Sequence, residues 1–334
     1  MKAVVFDRCG EPSQVLRTED RPVAEPTRGE VLVRMLATPV NPSDLLYVRG
    51  QYTLQPRLPA SPGFEGVGVV ERAGGGLRPR IMLGKRVAVL SRMGGNWAEN
   101  NIVPATQVIP ISRQLSLEAA ATFFVNPATA YIMTRLVLRV SPGEWLLQTA
   151  AGSTLGLMIA RLGKRFGFRT LCVVRKEADV EPLLQSGATR VVVYDAARDT
   201  PDVLVQAVME STAGNGVQYA VDPVGGACGS TVTTCLAERG RMLVFGSLSG
   251  APLQFSPRDL MTPGASISGF WLGHFMQQQS LTKKLRLVRT ITRLIMEGIL
   301  SSRIAAKFPL HDVCHAVESA EQRSGKTLLQ IQEH

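Results

Sequence analysis

Hydrophobic and polar positions fall into two textures that meet near residue 115. Before it, short β-rich runs alternate with turn residues: KAVVF (2–6), VLVRMLAT (31–38), VGVVERAG (67–74) and RVAVL (86–90). That predicts a mostly antiparallel β region. After it, strand-length apolar runs alternate with helical patterns, which predicts βαβ units and a parallel sheet. Strand EWLLQTA (144–150) runs through AGSTLG (151–156) into helix LMIARLGKRF (157–166). Strand RTLCVV (169–174) precedes a helix through Leu183 and Leu184 that stops at Gly187. Strand RVVVYD (190–195) precedes helix DVLVQAVMEST (202–212), ended by Gly214. Strand VQYAVD (217–222) leads through a helix reaching Leu236 to strand RMLVFG (241–246), and SISGFW (266–271) follows Pro263-Gly264. Six strands with crossover helices make a doubly wound nucleotide-binding sheet. The tail, with a helix at 283–297 and strand KTLLQI (326–331), is expected to return to the first domain.

Composition narrows the class. A chain of 334 residues, 45% hydrophobic and 19% charged, suits two packed domains. No apolar run reaches the length of a membrane-spanning helix, and a strand starting right after Met1 predicts no signal or transit peptide. A cytoplasmic protein is the simplest expectation. The five cysteines form no C-x-x-C pair, so neither a structural zinc nor a disulfide framework is expected, and Cys172 reads as a small buried hydrophobe. The formal charge of +10 would attract anions, but aromatics are only 6% and no basic cluster is interleaved with stacking rings, which argues against nucleic acid. The stripe Lys283, Lys284, Arg286, Arg289 and Arg293 is a solvated helix face, with Leu285, Val288, Ile291 and Ile295 expected on the opposite one.

An anionic cofactor accounts for the charge more economically. Ala151-Gly152-Ser153-Thr154-Leu155-Gly156 occupies the strand-to-helix position of a dinucleotide turn without being G-x-G-x-x-G. Small residues let the backbone approach a pyrophosphate, and exposed N–H groups at the helix start face its charge. Ser153 and Thr154 can add hydroxyl donors, and Gly156 permits close helix–strand packing. The next strand ends at Arg175-Lys176, about where an acid would accept from the 2′-hydroxyl of NAD. Two cations there suit a 2′-phosphate, so NADPH is the expected cofactor, a surface Arg-Lys pair being the bland alternative.

The two-part layout, the loop Asn41-Pro42-Ser43-Asp44, SPGFEGVGVV (61–70), the small-residue turn and the returning tail resemble the medium-chain dehydrogenase/reductase superfamily over essentially the whole chain. The resemblance implies a GroES-like, mostly β catalytic domain (1–125 and 269–334) and a Rossmann NADPH-binding domain (126–268). Zinc alcohol dehydrogenases of that family carry a Cys and a Gly-His-Glu where this chain has Asn41 and Gly63-Phe64-Glu65. Neither an amide nor a phenyl ring replaces a thiolate or an imidazole on Zn²⁺, so no metal is expected. Within the family, NPSDLLYVRGQY, GGNWAE, FVNPATAY, VVR, GFWLGHF and SGKTLLQ are most similar to the mitochondrial-type 2-enoyl thioester reductases.

That resemblance carries roles onto particular residues. Tyr52 matches the group's catalytic Tyr; alternatively it is a loop aromatic packing on its neighbours, as Tyr47 is expected to be. Asn126 matches a contact near the nicotinamide ribose, Gly152, Ser153, Thr154 and Leu155 the diphosphate turn, and Arg175 and Lys176 the 2′-phosphate site. Phe245 and Gly246 stand at the end of the fifth strand, and Phe270, Trp271 and Leu272 match a segment lining the nicotinamide and acyl pocket. Lys326 matches a lysine near the cofactor; a solvated lysine and, for Trp271, a core aromatic are the plain alternatives. Asn41, Trp271 and His274 are the expected substrate-pocket residues, while His311, His315 and His334 read as surface. Gly152 departs from the group, where Asn is frequent.

The implied reaction is NADPH-dependent reduction of the C2=C3 bond of a trans-2-enoyl thioester of coenzyme A or acyl carrier protein, as in fatty acid metabolism. A phenol, protonated at neutral pH with a reference pKa of about 10, can stabilise the enolate or protonate the α-carbon. Two other readings stay open: an NADPH:quinone or general enone oxidoreductase, and a non-catalytic NADPH-binding sensor. A homodimer paired near SISGF is a family expectation.

Overall fold

The computed structural model describes residues 1–331, so His334 lies outside the described residues. Internal contacts divide the chain into two units, one formed by residues 1–125 with 302 onward and the other by residues 126–301. No described helix is long and apolar enough to cross a membrane.

The first unit is built on a seven-stranded sheet whose middle strand, Glu30–Pro39, is buried along almost its whole length. It pairs antiparallel with Glu65–Ala73, with Asn100–Pro104 and with the C-terminal strand Lys326–Gln330. Val31, Val33, Met35, Val70, Val87 and Val89 form a core on one side. On the other, Phe6, Tyr47, Trp97, Val313 and Leu329 pack around the short helix Pro42–Val48.

The second unit contains a wholly parallel six-stranded sheet. Across it lie Arg190–Val193, Arg169–Val174, Trp145–Gln148, Val217–Asp222, Leu236–Val244 and Ser266–Gly269. The first strand in sequence is thus third in space, and the order reverses beside it, which is the doubly wound arrangement. Its central strands read as continuous apolar runs because both faces are covered. Helix Thr154–Phe166 packs on this sheet and ends at Gly167 in the left-handed region (φ 77°). Cys172 is fully buried, and burial pushes its thiol up to about 11.

Three expectations need correction. The chain returns to the first unit at Ser302, not at 269. Ser266–Gly269 extends the parallel sheet, Phe270 N–H donates to Val244 O (2.8 Å), and Arg161 donates to Gly298 O (2.8 Å) and Ser301 O (3.0 Å), which binds the end of helix Leu281–Met296 to the second unit. Leu236 opens a strand rather than ending a helix, because it pairs with Val217. On helix Leu281–Met296 the buried stripe is Leu287, Ile291, Leu294 and Ile295, at the 3.6-residue period, while Leu285 is exposed.

In the first unit, neighbouring strand ends bring Lys326, Asn41 and Glu65 to one end of the sheet, with Asp44 beside them, all buried. Burial without enough counter-charge drives the Asp44 carboxyl up to about 7, against an ordinary value of 3.8. Between those pH values the folded chain keeps a proton that the unfolded chain has released. This contribution to stability is therefore full below about pH 4 and lost as pH rises towards 7, a change on the order of 3 kcal/mol. Stability to denaturant across pH 4–7 should fall more steeply in wild type than in Asp44→Asn, which keeps only the part due to Glu65, whose carboxyl burial also raises; parallel curves would mean that Asp44 stays ionised. A second expectation concerns Gly156, where a Cβ would stand 2.2 Å from Ala151 O. Gly156→Ala should cost about 2 kcal/mol by overpacking, read as a lower denaturation midpoint.

Candidate active site

In the second unit, the candidate cofactor residues gather at the carboxyl ends of the parallel strands. Ser153 caps helix Thr154–Phe166, its Oγ accepting from Gly156 N–H (3.1 Å). Thr154 and Leu155 form the first helical turn, whose N–H groups have no intrahelical acceptor and present a partial positive charge. A Cβ on Gly152 would lie 2.7 Å from the carboxylate carbon of Asp179, so a side chain at 152 and Asp179 compete for one space. That crowding bears on the departure from Asn noted in the sequence. Arg175 and Lys176 are exposed just past the second strand, and the charge of Arg175 reaches Asp195 at the next strand's end. Asp222 is wholly buried and anchors the turn after its strand, accepting from Val224 N–H (3.0 Å), Gly225 N–H (2.9 Å) and Thr149 Oγ1. Phe245 N–H donates to Asp222 O (3.0 Å), which places Phe245 and Gly246 on the same edge.

These features fit a dinucleotide phosphate: a small-residue turn, a thirteen-residue helix starting on free N–H groups, and two exposed cations one strand away. Asn126 opens the second unit in helix Val125–Tyr131. Phe270, Trp271 and Leu272 join the edge strand to helix Leu272–Gln277; Trp271 is 40% exposed, which is not a core aromatic. Phe270 packs on Phe275 (centroids 6.0 Å apart), and His274 Nε2 bonds Gln278 (2.9 Å), exposed.

The first unit holds Tyr52, Asn41 and Lys326. Tyr52 follows helix Pro42–Val48, half-buried, its ring against Phe64 (5.3 Å). Tyr47 is fully buried between Phe6 and Phe64, so it packs as expected. Asp44 Oδ2 accepts from Asn41 N–H (2.9 Å) and its Oδ1 from Phe64 N–H (3.0 Å), tying the helix start to the neighbouring loop. Glu65 Oε1 accepts from Phe124 N–H (2.6 Å) and Val125 N–H (2.7 Å), and its Oε2 from Asn41 Nδ2 (3.4 Å). Lys326 Nζ donates to Asn41 Oδ1. Burial raises both carboxyls and lowers the Lys326 amine, while their mutual attraction opposes each shift. Lys326 is 6% exposed, so it is not the solvated lysine that its charge alone suggested.

Zinc does not fit this donor set. The positions that resemble its ligand sites hold an amide and a phenyl group, and a lysine ammonium stands on that amide. Among the described residues no group of three or more His, Cys, Asp or Glu could hold a metal ion. Sequence reading missed Asp44 and Glu65 as members of the site. Their signal was slight: two acids in apolar surroundings, unexplained by any surface role.

Family comparisons agree with this layout. The alcohol dehydrogenase GroES-like domain matches residues 27–113 and the zinc-binding dehydrogenase family residues 154–289. The mitochondrial enoyl-[acyl-carrier-protein] reductase of Bos taurus is 30% identical over 328 residues, covering 96% of this chain and 86% of that protein. Its counterpart from Homo sapiens is 30% identical over 329 residues, with 96% and 85% covered. Among solved structures, a putative NADPH:quinone reductase from Bacillus thuringiensis is 33% identical with a TM-score of 0.90 over 99% of both chains. Escherichia coli quinone oxidoreductase complexed with NADPH is 26% identical, TM-score 0.90, over 99% and 100% of the chains. The chain belongs to the medium-chain dehydrogenase/reductase superfamily of oxidoreductases.

Proposed function

We propose that this protein is an NADPH-dependent reductase of the C2=C3 bond in trans-2-enoyl thioesters, needing no metal. The observation that carries this reading is Tyr52, a half-buried phenol between two positions of the metal-ligand type that hold an amide and a phenyl ring, with the Lys326 ammonium bonded to that amide. The full-length similarity to enoyl-[acyl-carrier-protein] reductases supports the substrate class. NADPH is supported by the phosphate turn, by Arg175 and Lys176, and by the NADPH complex of a structural relative. Coenzyme A and acyl carrier protein thioesters are both candidate substrates, and the positive net charge favours either phosphate-bearing carrier. Homodimerisation through the exposed edge strand Ser266–Gly269, a cytoplasmic location and a place in fatty acid metabolism complete the proposal.

When bound, the reduced nicotinamide supplies a hydride to the β-carbon. The double-bond electron pair then moves onto the α-carbon and thioester oxygen. Tyr52 donates a hydrogen bond to that enolate or its proton to the α-carbon, so hydride and proton together saturate the bond. Asn126, Gly152 to Leu155, Phe245, Gly246 and Phe270 to Leu272 bind and orient the dinucleotide, and Arg175 and Lys176 hold its 2′-phosphate. Asn41 in the first unit and Trp271 and His274 in the second are the candidate acyl-binding residues.

A quinone or enone reductase is the second reading, favoured by the 33% identity to a putative quinone reductase. It shares the cofactor but does not need a proton donor at Tyr52. NADPH oxidation with trans-2-hexenoyl-CoA decides between them. Turnover is expected, and Tyr52→Phe should lower kcat about 100-fold; turnover of quinones alone would select the second reading. Arg175→Ala with Lys176→Ala should raise the KM for NADPH about 30-fold and leave that for NADH unchanged. An equal effect on both nucleotides would remove the pair from 2′-phosphate recognition.

A further inference from the structure

Lys326 was expected at the cofactor, but its surroundings point elsewhere. Strand Lys326–Gln330 runs antiparallel to Glu30–Pro39 with Leu328 opposite Pro39, and Val40 N–H donates to Thr327 O (3.0 Å). Continuing that register by two residues sets Lys326 opposite Asn41. Gly325, at φ 113°, turns the chain into the strand where a Cβ would press on Arg303 O and Ala305 Cβ, each at 3.0 Å. Lys326 N–H then donates to Arg303 O (2.8 Å), so its backbone is fixed as well as its amine.

The amine is committed to the protein. It bonds Asn41 Oδ1, is 6% exposed, and is the cation that attracts both Asp44 and Glu65. Asn41 is held at both ends of its amide, Oδ1 by Lys326 and Nδ2 by Glu65. Asn41 N–H and Phe64 N–H are held by the two oxygens of Asp44, and the Phe64 ring touches Tyr52 and Tyr47, with centroids at 5.3 and 5.1 Å. A continuous set of contacts therefore runs from the ammonium to the proposed proton donor.

We propose that Lys326 is a positioning residue: its ammonium offsets negative charge on the buried Asp44 and Glu65 carboxyl groups and, through Asn41, Asp44 and Phe64, fixes the ring of Tyr52. The inference rests on the proposed function for its kinetic readout, and on geometry alone for the others. Without the ammonium, any negative charge on Asp44 and Glu65 is left without a nearby cation, so the pair must stay protonated or the loop must shift. A direct cofactor contact would instead be felt in nucleotide affinity.

The test uses the full chain with Lys326→Met, which keeps length and removes charge, in wild-type and Tyr52→Phe backgrounds. With NADPH and trans-2-hexenoyl-CoA, Lys326→Met should lower kcat about 30-fold in wild type and less than about threefold in Tyr52→Phe, because the two act as one unit. NADPH affinity, measured by nucleotide fluorescence without substrate, should stay within about twofold. Tryptic cleavage after Arg57, exposed on the Tyr52 loop, should accelerate severalfold. Should Lys326→Met fail to fold, Glu65→Gln with Lys326→Met removes one stranded charge and is read in the same assays. Equal kcat losses in both backgrounds, tenfold weaker NADPH binding at unchanged kcat, or unchanged cleavage would each overturn the proposal. If wild type turns over quinones only, the functional reading fails, while nucleotide affinity and cleavage still decide on Lys326.

Discussion

Two carboxyl groups and one ammonium buried together at the end of a β-sheet form the constraint around which the first unit is organised. Charges are costly to remove from water, and removing one partner of such a cluster costs about 3–5 kcal/mol. The cluster persists because almost every polar atom in it has a backbone or amide partner: Asp44 takes two N–H groups, Glu65 takes two N–H groups and an amide, and Asn41 bridges to Lys326. These bonds also join segments far apart in sequence, namely the loop at 41, the strand at 65, the helix start at 124–125 and the C-terminal strand. The segment carrying Tyr52 is thereby framed by fixed backbone rather than left as a free loop.

The second unit solves a different problem, the binding of negative charge. It does so with orientation more than with formal charge. Helix Thr154–Phe166 presents unpaired N–H groups at its start, and Asp222 ties down the neighbouring turn by accepting three hydrogen bonds. Arg175 and Lys176 add two exposed cations just past the second strand, the proposed place of an extra phosphate. A parallel sheet makes this possible because all its strands end on the same edge, so loops from separate βαβ units converge without any special loop sequence.

The same fold that supports zinc chemistry in relatives supports a different electrostatic solution here. At the positions compared above, a thiolate and an imidazole are replaced by Asn41 and Phe64, and positive charge is supplied by Lys326. In the proposed function, polarisation of substrate then falls to a hydrogen-bond donor, for which a phenol is suited. Superfamily membership leaves this open, since function resides in the site and not in the fold.

The sequence alone determined the order of strands and helices, the small-residue turn at 151–156 and the basic pair after the second strand, since these depend on local periodicity and nearest-neighbour chemistry. Strands Arg169–Val174 and Val217–Asp222 fall where the pattern placed them. Tertiary structure alone decided that the segment from 269 to 301 stays with the second unit, that Leu285 faces water, and that Lys326 is buried on Asn41. Strand pairing and helix packing select among faces and partners that the local pattern leaves open, and a lysine 285 residues from its partner carries no local sign of that pairing.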